Sequence, residues 1–141
     1  MIEGQCLCGA VRLSVAAHEI EVGACHCRLC QQWTGGVFLS FGGEAAGLRV
    51  EGPVVRYKSS EFAERAFCGN CGSHLWMRDT GSQDAEYDLA PGLFEAAKGF
   101  GLRSEIYADR ALACIRFAGD HRRETRAEYE AKHKHVEGEP G

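Results

Sequence analysis

The sequence predicts a mainly β protein made of short strands joined by turns. Glycine accounts for 18 of the 141 residues, and glycine favours turns over helix interiors. Residues 10–15 alternate apolar and polar side chains, as expected for a strand with one buried face. Helix-forming runs are few. A chain of this length fits one compact domain, in which about two-thirds of the unfolded surface is buried.

The other strands are predicted from short apolar runs bounded by turn residues. Two of these runs flank the Gly52-Pro53 dipeptide, which favours a tight turn between them. The further strand candidates are residues 37–41, 48–50, 54–57, 63–67, 75–77, 87–90, 106–108 and 113–117. Such a fold divides its core among many small elements, so metal sites would add useful stability.

Two short helices are predicted in the second half of the chain. One covers residues 91–98, after a Pro-Gly turn. The other begins at Thr125, because Thr125 and Glu128 match a capping box ahead of residues 129–134. This second helix is polar on every side, so we expect it at the surface. Residues 137–141 are expected to be disordered.

Charge and hydropathy argue against two classes of partner. The formal net charge is −4, and the longest basic run is Arg122-Arg123, which does not favour nucleic-acid binding. No apolar stretch approaches the roughly 18 residues of a membrane span, and the N-terminus lacks the features of a secretion signal. We therefore expect a cytoplasmic protein, in which cysteines remain thiols or metal ligands. In a secreted protein the same eight cysteines could instead form disulfides.

Seven of the eight cysteines lie in three clusters. The clusters are an N-terminal pair, a cysteine loop and a C-terminal pair: Cys6 and Cys8; Cys25, Cys27 and Cys30; Cys68 and Cys71. A Cys-x-x-Cys turn places two sulfurs on one side, as a tetrahedral zinc ion with bonds of about 2.3 Å requires. Glycine follows both pairs and lets the backbone turn back. The clusters therefore indicate zinc binding more strongly than buried structural thiols.

Seven sulfurs divide naturally into four and three. Four thiolates complete a tetrahedral zinc ion and make a closed, structural site, whereas three leave one position open for water, a substrate thiol or a histidine. An open position is typical of a catalytic zinc site.

Spacing leaves the pairing of the clusters open. The C-terminal pair could join Cys27 and Cys30 in a zinc ribbon, which leaves Cys25 with the N-terminal pair. The C-terminal pair could instead join the N-terminal pair, which leaves the cysteine loop as a local three-sulfur site. The second arrangement is simpler, because its three ligands lie within six residues and can meet at one ion without ligands from elsewhere in the chain.

Three motifs together resemble a known family. They are Gly4-Gln-Cys6-Leu-Cys8-Gly9-Ala-Val11, Cys25-His-Cys27-Arg-Leu-Cys30 and Phe67-Cys68-Gly-Asn-Cys71-Gly72-Ser-His-Leu75. In order and spacing they resemble the glutathione-dependent formaldehyde-activating enzyme family, whose domain also occurs in centromere protein V. The resemblance spans residues 4–78, and the stretch Ile106-Tyr-Ala-Asp109-Arg110 is also similar.

The resemblance implies a fold of several small coiled antiparallel sheets held by zinc, β-tent-like, with a short C-terminal helix. It implies a zinc-binding domain over residues 1–124, followed by a helical, partly disordered tail over residues 125–141. Two zinc ions per chain are implied. The implied structural zinc ligands are Cys6, Cys8, Cys68 and Cys71. The implied ligands of the catalytic-type, open zinc site are Cys25, Cys27 and Cys30.

The family resemblance also implies an activity. It is that of a carbon–sulfur lyase, similar to S-hydroxymethylglutathione synthase, acting on adducts of glutathione or a similar thiol with formaldehyde or another small carbonyl compound. The alternative is a non-catalytic zinc-binding module, with both zinc ions structural and His26 or His74 closing the second site. A zinc-ribbon adaptor for nucleic acid or a protein is a third possibility, and the acidic charge counts against the nucleic acid. The substrate pair and the oligomeric state are not specified by the residues.

The residues near the clusters have less specific patterns. His26 and Arg28 could contact substrate, but positions facing solvent fit the pattern equally. His74 is expected to pack or to form hydrogen bonds, and Cys114 is expected to be a buried free thiol in an apolar strand. Three aromatic residues are expected in the core rather than in a pocket wall: Trp33, Phe38 and Phe41. Like Arg28, Lys58 and Arg65 could meet a substrate carboxylate but are more often solvated. His133 and His135, on the polar tail, could bind metal adventitiously but are expected to have no role.

Overall fold

The computed structural model describes residues 1–17, 20–82 and 84–136. The chain divides into two compact units. The first comprises Met1–Glu21 and Ser40–Gly101, and the second comprises Val22–Leu39 and the chain from Leu102 onward. The predicted mainly β fold with a short C-terminal helix is confirmed. Among the residues described, no helix has the length and apolar character that crossing a membrane requires.

The elements are short and numerous. The strands are β1 (Ile2–Gln5), β2 (Arg12–Val15), β3 (Glu21–Cys25), β4 (Phe38–Gly43), β5 (Arg49–Glu51), β6 (Val54–Ser60), β7 (Ala63–Cys68), β8 (His74–Asp79), β9 (Tyr87–Leu89), β10 (Gly101–Ile106) and β11 (Arg122–Glu124). The α-helices are α1 (Arg28–Thr34) and α2 (Arg126–Lys132). Short 3-10 helices cover Ala45–Gly47, Pro91–Leu93, Glu95–Gly99, Ala108–Arg110 and Lys134–Val136.

In the first unit, β1, β2 and β5 pair antiparallel in the order β1-β2-β5. Leu13 and Val15 of β2 are buried and alternate with more exposed residues, which confirms the strand predicted over residues 10–15. Gly4 of β1 bridges to Phe94, and a Cβ atom at position 4 would lie 2.7 Å from the Phe94 ring. The absent side chain at Gly4 therefore allows β1 to approach Phe94 closely.

The first unit also contains β4, β9, β8, β7 and β6, which are hydrogen-bonded neighbours in that order and run antiparallel. Trp76 of β8 lies opposite Leu89 of β9, and both side chains are fully buried. Phe41 of β4 packs edge-on against Phe94 and Phe100, with ring centroids 5.2 and 5.5 Å apart. This core supports the turn between β7 and β8, which carries the C-terminal cysteine pair.

In the second unit, β11, β10 and β3 are neighbours in that order, and β10 and β11 are parallel. Strand β3 ends at Cys25, and α1 begins three residues later. Helix α1 ends at Gly35, which has φ 89° and donates its N–H to Gln31 O at 2.7 Å. Helix α2 begins with the predicted capping box, in which Thr125 and Glu128 exchange hydrogen bonds of 3.0 and 3.1 Å.

Two predicted strands are wrong. The strand over residues 106–108 is absent, because Tyr107 has φ 56°, in the left-handed region, and ends β10. Residues 113–117 form no strand, since their apolar pattern has no pairing partner there. The short helix predicted over residues 91–98 is present as two 3-10 helices, Pro91–Leu93 and Glu95–Gly99.

Several elements were not predicted. These are β1, β3, most of β10, β11 and α1. The residues 137–141, predicted to be disordered, lie outside the described residues, and the domain boundary at residue 124 stays a prediction.

Candidate metal centres

Two groups of cysteines have sulfur atoms close enough to share an ion. The first, called here the four-cysteine group, brings together the sulfurs of Cys6, Cys8, Cys68 and Cys71, all within 4.8 Å of one another. The Cys6 and Cys8 sulfurs are 3.6 Å apart, and the Cys8 and Cys68 sulfurs are 3.9 Å apart. A regular tetrahedron with zinc–sulfur bonds of 2.3 Å has edges of about 3.8 Å. The donor set therefore fits a tetrahedral zinc ion.

Two tight turns of the first unit form the four-cysteine group. Cys6 follows β1, and its carbonyl accepts the N–H of Gly9 at 3.1 Å. Cys68 ends β7, and its carbonyl accepts the N–H of Gly72 at 2.8 Å. Both glycines have φ 80°, a conformation that costs other residues free energy. This explains why glycine follows each cysteine pair in the sequence.

Hydrogen-bond donors surround the sulfurs of the four-cysteine group. The Val11 and Ala10 N–H groups point at Cys6 and Cys8 Sγ, at 3.2 and 3.4 Å. Asn70 donates its N–H to Cys68 Sγ at 3.3 Å and its Nδ2 to Cys8 Sγ at 3.1 Å. These donors favour thiolates over thiols. The signal for Asn70 in the sequence is a polar residue inside the Cys-x-x-Cys turn.

Ser73 is a further residue of this site that the sequence pattern does not single out. Its hydroxyl lies 3.2 Å from Cys71 Sγ and accepts the Leu7 N–H at 3.0 Å. The Ser73 side chain and backbone, together with the backbone of Cys8, lower the pKa of Cys71 to about 5. These contacts favour the thiolate form of Cys71, which is the form that binds metal.

The second group, called here the three-cysteine group, lies within one loop of the second unit. The sulfurs of Cys25, Cys27 and Cys30 all lie within 4.8 Å of one another. Cys25 ends β3, Cys27 is the N-cap of α1, and Cys30 lies in the first turn of α1 and is fully buried. The Cys30 N–H points at Cys27 Sγ at 3.4 Å. Helix α1 thus turns Cys27 and Cys30 towards the same point.

The electrostatics of the three-cysteine group favour a bound cation. The pKa of Cys25 is raised well above its usual value by hydrogen bonds with Cys27 and Cys30, by burial and by their negative charges. Three thiolates this close repel one another, so they need a positive charge to ionise together. Sulfur is also a preferred donor for zinc. The residues present therefore fit a zinc ion.

The two histidines considered as closing ligands belong to neither group. His26 points its Nε2 to Glu105 Oε1 at 2.7 Å and is completely buried. His74 lies in β8 opposite Phe67, and burial and the Arg65 charge lower its pKa. Over residues 1–17, 20–82 and 84–136, no histidine, aspartate or glutamate atom joins the three sulfurs within 4.8 Å.

The remaining candidates lie in different surroundings. Arg28 is the exposed first residue of α1. Phe41 is in the core, as predicted, and Trp33 packs on the buried Phe38 with ring centroids 5.3 Å apart. The prediction of a buried Cys114 is wrong: this thiol is exposed, because its segment forms no strand that could cover it. His133 stacks on the Tyr129 ring at 4.2 Å.

Of the two basic residues expected to be solvated, one is exposed and the other is buried. Lys58 is exposed and lies 3.7 Å from Glu61. Arg65 is buried in β7, contrary to the sequence-based expectation, because β7 lies between β6 and β8.

The sequence and the fold are similar to those of known proteins. A sequence model of the glutathione-dependent formaldehyde-activating enzyme family matches residues 1–110. An uncharacterized lyase of Schizosaccharomyces pombe is 32% identical over 117 residues, which cover 82% of this chain and 85% of that protein. A Halomonas elongata protein, provisionally named a glutathione-dependent formaldehyde-activating enzyme, is 34% identical over 56% of this chain and 57% of its own.

A solved structure supports the fold independently. The crystal structure of a Rhodobacter sphaeroides protein from structural genomics has a TM-score of 0.58 and 20% identity, and the alignment covers 72% of this chain and 99% of that one. At this identity the likeness concerns the fold alone. The family match, which includes all seven clustered cysteines, goes further: the chain belongs to the glutathione-dependent formaldehyde-activating enzyme family.

Proposed function

We propose that the chain is a zinc-dependent carbon–sulfur lyase that joins a small thiol such as glutathione to formaldehyde or another small carbonyl compound, and catalyses the reverse reaction. The observation that carries this proposal is the three-cysteine group, which no further histidine or carboxylate joins among the described residues. The names of the two relatives, a lyase and a formaldehyde-activating enzyme, support an enzyme.

We assign each group its own role. Cys6, Cys8, Cys68 and Cys71 would hold a structural zinc ion, since four thiolates complete its coordination. Cys25, Cys27 and Cys30 would hold a second zinc ion with one position left for an incoming ligand. When bound there, the metal would supply a positive charge that keeps a substrate thiol ionised and therefore nucleophilic.

The proposed reaction is an addition that balances without any redox partner. The thiol sulfur forms a bond to the carbonyl carbon, the carbon–oxygen π bond breaks, and the proton lost by the thiol ends on the new hydroxyl oxygen. The reverse reaction returns the thiol and the carbonyl compound. In both the forward and the reverse reaction, the sulfurs of the three-cysteine group would stay bound to the metal and keep it in place. We place the reaction in the cytoplasm, where small thiols stay reduced.

The rate of exchange between free and glutathione-bound formaldehyde tests this function. Because the adduct also forms without a catalyst, the exchange should be measured by NMR with and without the zinc-loaded protein. We expect the wild type and the exposed-thiol control Cys114→Ser to accelerate exchange, and Cys27→Ser to leave it at the uncatalysed rate. Serine can still cap α1, so the loss would reflect the missing sulfur rather than a broken helix.

Equal rates with and without wild-type protein, for glutathione and for other small thiols, would contradict the proposal. Such a result in a protein that holds two metal ions would favour the non-catalytic zinc-binding module.

A further inference from the structure

The second unit buries a charged cluster beside the three-cysteine group. Glu105 of β10 is only 6% exposed. Its Oε1 lies 2.7 Å from His26 Nε2, and its Oε2 lies 2.5 Å from His121 Nε2 and 3.1 Å from Arg123 Nε. Burying a carboxylate costs free energy unless several partners satisfy it. The partners here use both oxygens, so the carboxylate has a fixed orientation.

His26 connects this cluster to the cysteines. It stands between Cys25 and Cys27 in the sequence, and its side chain is completely buried. Its N–H donates to Ile106 O at 3.1 Å, and its carbonyl accepts from Gln31 Nε2 at 3.0 Å. The Glu105 carboxylate holds its ring. Backbone and ring of His26 are thus held from three directions.

The cluster is itself braced by the segment before β11. Arg123 donates from Nη2 to Phe117 O at 2.9 Å and to Gly119 O at 3.3 Å. The Phe117 ring lies 6.1 Å from the His26 ring. Arg123 therefore links the segment that contains Phe117 and Gly119 to the Glu105 carboxylate, which also binds the His26 ring. If Glu105 moved, the His26 ring would lose its contact with the carboxylate and the support of the Phe117 segment.

We propose that Glu105 is a positioning residue for the three-cysteine group: through His26, it holds the loop in the arrangement that receives the metal. This inference rests on the proposed metal at that group. On a free loop the three sulfurs would not stay together, and gathering them would cost conformational entropy each time the metal bound. A loop fixed beforehand avoids this cost and slows metal release.

The release rate of each metal tests the proposal without relying on catalysis. The fully loaded wild type is compared with Glu105→Gln, which keeps the side-chain shape but removes the charge. The matched control is Glu124→Gln, because Glu124 is 5% exposed in the same unit and pairs with Arg122 and Lys132 instead of His26. A chromogenic chelator records zinc release, and cobalt absorption records the coordination at each group.

We expect Glu105→Gln to release one metal at least about 10-fold faster than the wild type, in line with losses of outer-shell partners at other metal sites. The other metal and the Glu124→Gln protein should behave as in the wild type. The cobalt spectrum of the faster-releasing site should change, which a general loss of stability would not produce. If Glu105→Gln does not fold, Glu105→Asp replaces it, with a release rate between those of wild type and the expected Gln value.

Unchanged release of both metals in a folded Glu105→Gln protein, or in the Glu105→Asp protein that replaces it, would overturn this inference and leave the proposed lyase activity standing. Faster release without catalysis of thiol exchange by the wild type would keep the inference and remove the activity. A wild type that binds metal only at the four-cysteine group would overturn both.

Discussion

The two cysteine groups are assembled in opposite ways. The four-cysteine group joins two turns of the first unit whose residues Cys8 and Cys68 are 60 positions apart. The three-cysteine group lies between the end of β3 and the first turn of α1. A metal that joins distant turns closes a long loop and contributes directly to folding. A metal on one local loop can leave without opening the fold, which suits a site that exchanges ligands.

Their surroundings differ as well. The sulfurs of the four-cysteine group face backbone and side-chain donors such as Val11, Asn70 and Ser73. The support described for the three-cysteine group reaches the loop through His26 and Glu105. The pKa of Cys71 is lowered to about 5, whereas that of Cys25 is raised. Hydrogen-bond donors of the protein thus stabilise the Cys71 thiolate of the first group, whereas the Cys25 thiolate of the second group needs a nearby cation.

The largest expected effect separates the groups by stability. Cys68→Ser should lose the metal of the four-cysteine group and destabilise the protein by several kcal/mol, roughly 5, because zinc binding there is coupled to folding. Cys27→Ser should also lose one metal but change the free energy of unfolding by less than about 2 kcal/mol. Urea unfolding with metal analysis measures both. Equal destabilisation by the two variants would remove the distinction between the groups.

A smaller effect tests the first unit apart from its metal. Burial and the charges of Glu86 and Asp79 raise the pKa of Asp88 to about 7. A carboxyl whose pKa is raised in the folded state binds more protons there than in the unfolded state, so stability falls as the pH rises towards 7. Asp88→Asn should therefore stabilise the zinc-loaded protein at pH 8, by on the order of 2 kcal/mol, and by less at pH 6.

Chemical denaturation at both pH values measures this effect, with the exposed Asp84→Asn as the control. The metal content should stay unchanged. The change in the free energy of unfolding would then come from Asp88 and not from the four-cysteine group. A gain that is larger at pH 6 than at pH 8 would contradict the assignment of Asp88.

How much of this could be predicted from the sequence depends on distance along the chain. The spacing of the cysteines predicted three local clusters of ligands, since turns and short loops are local, but it left their pairing open. The division into groups of four and three sulfurs was implied by the family resemblance, because Cys8 and Cys68 lie 60 positions apart. The sequence did not predict α1, because its seven residues are too few for a periodic pattern. The contact between His26 and Glu105 was also missed, because it joins positions 79 apart. Tyr107, with φ 56°, ended a strand that its neighbours favoured.

The smallest effect concerns the donors to sulfur. Ser73→Ala removes the hydroxyl beside Cys71 Sγ, so the pKa of Cys71 should rise from its value of about 5. We expect zinc affinity at the four-cysteine group to fall by about 10-fold, the equivalent of one hydrogen bond to a charged group. Competition with a chelator measures this, and Ser59→Ala in β6 is the control. If Ser73→Ala instead lowered the zinc affinity of the three-cysteine group, the assignment of Ser73 to the four-cysteine group would be contradicted.

The difference between the groups is tested most directly by titrating the cobalt-substituted protein with glutathione. We predict that the charge-transfer absorption of the three-cysteine group increases by the amount expected for one additional sulfur ligand. The bands of the four-cysteine group, measured alone in the Cys27→Ser protein, should not change. Absorption that ignores glutathione and every other small thiol in the wild type, with cobalt bound at both groups, would contradict the account.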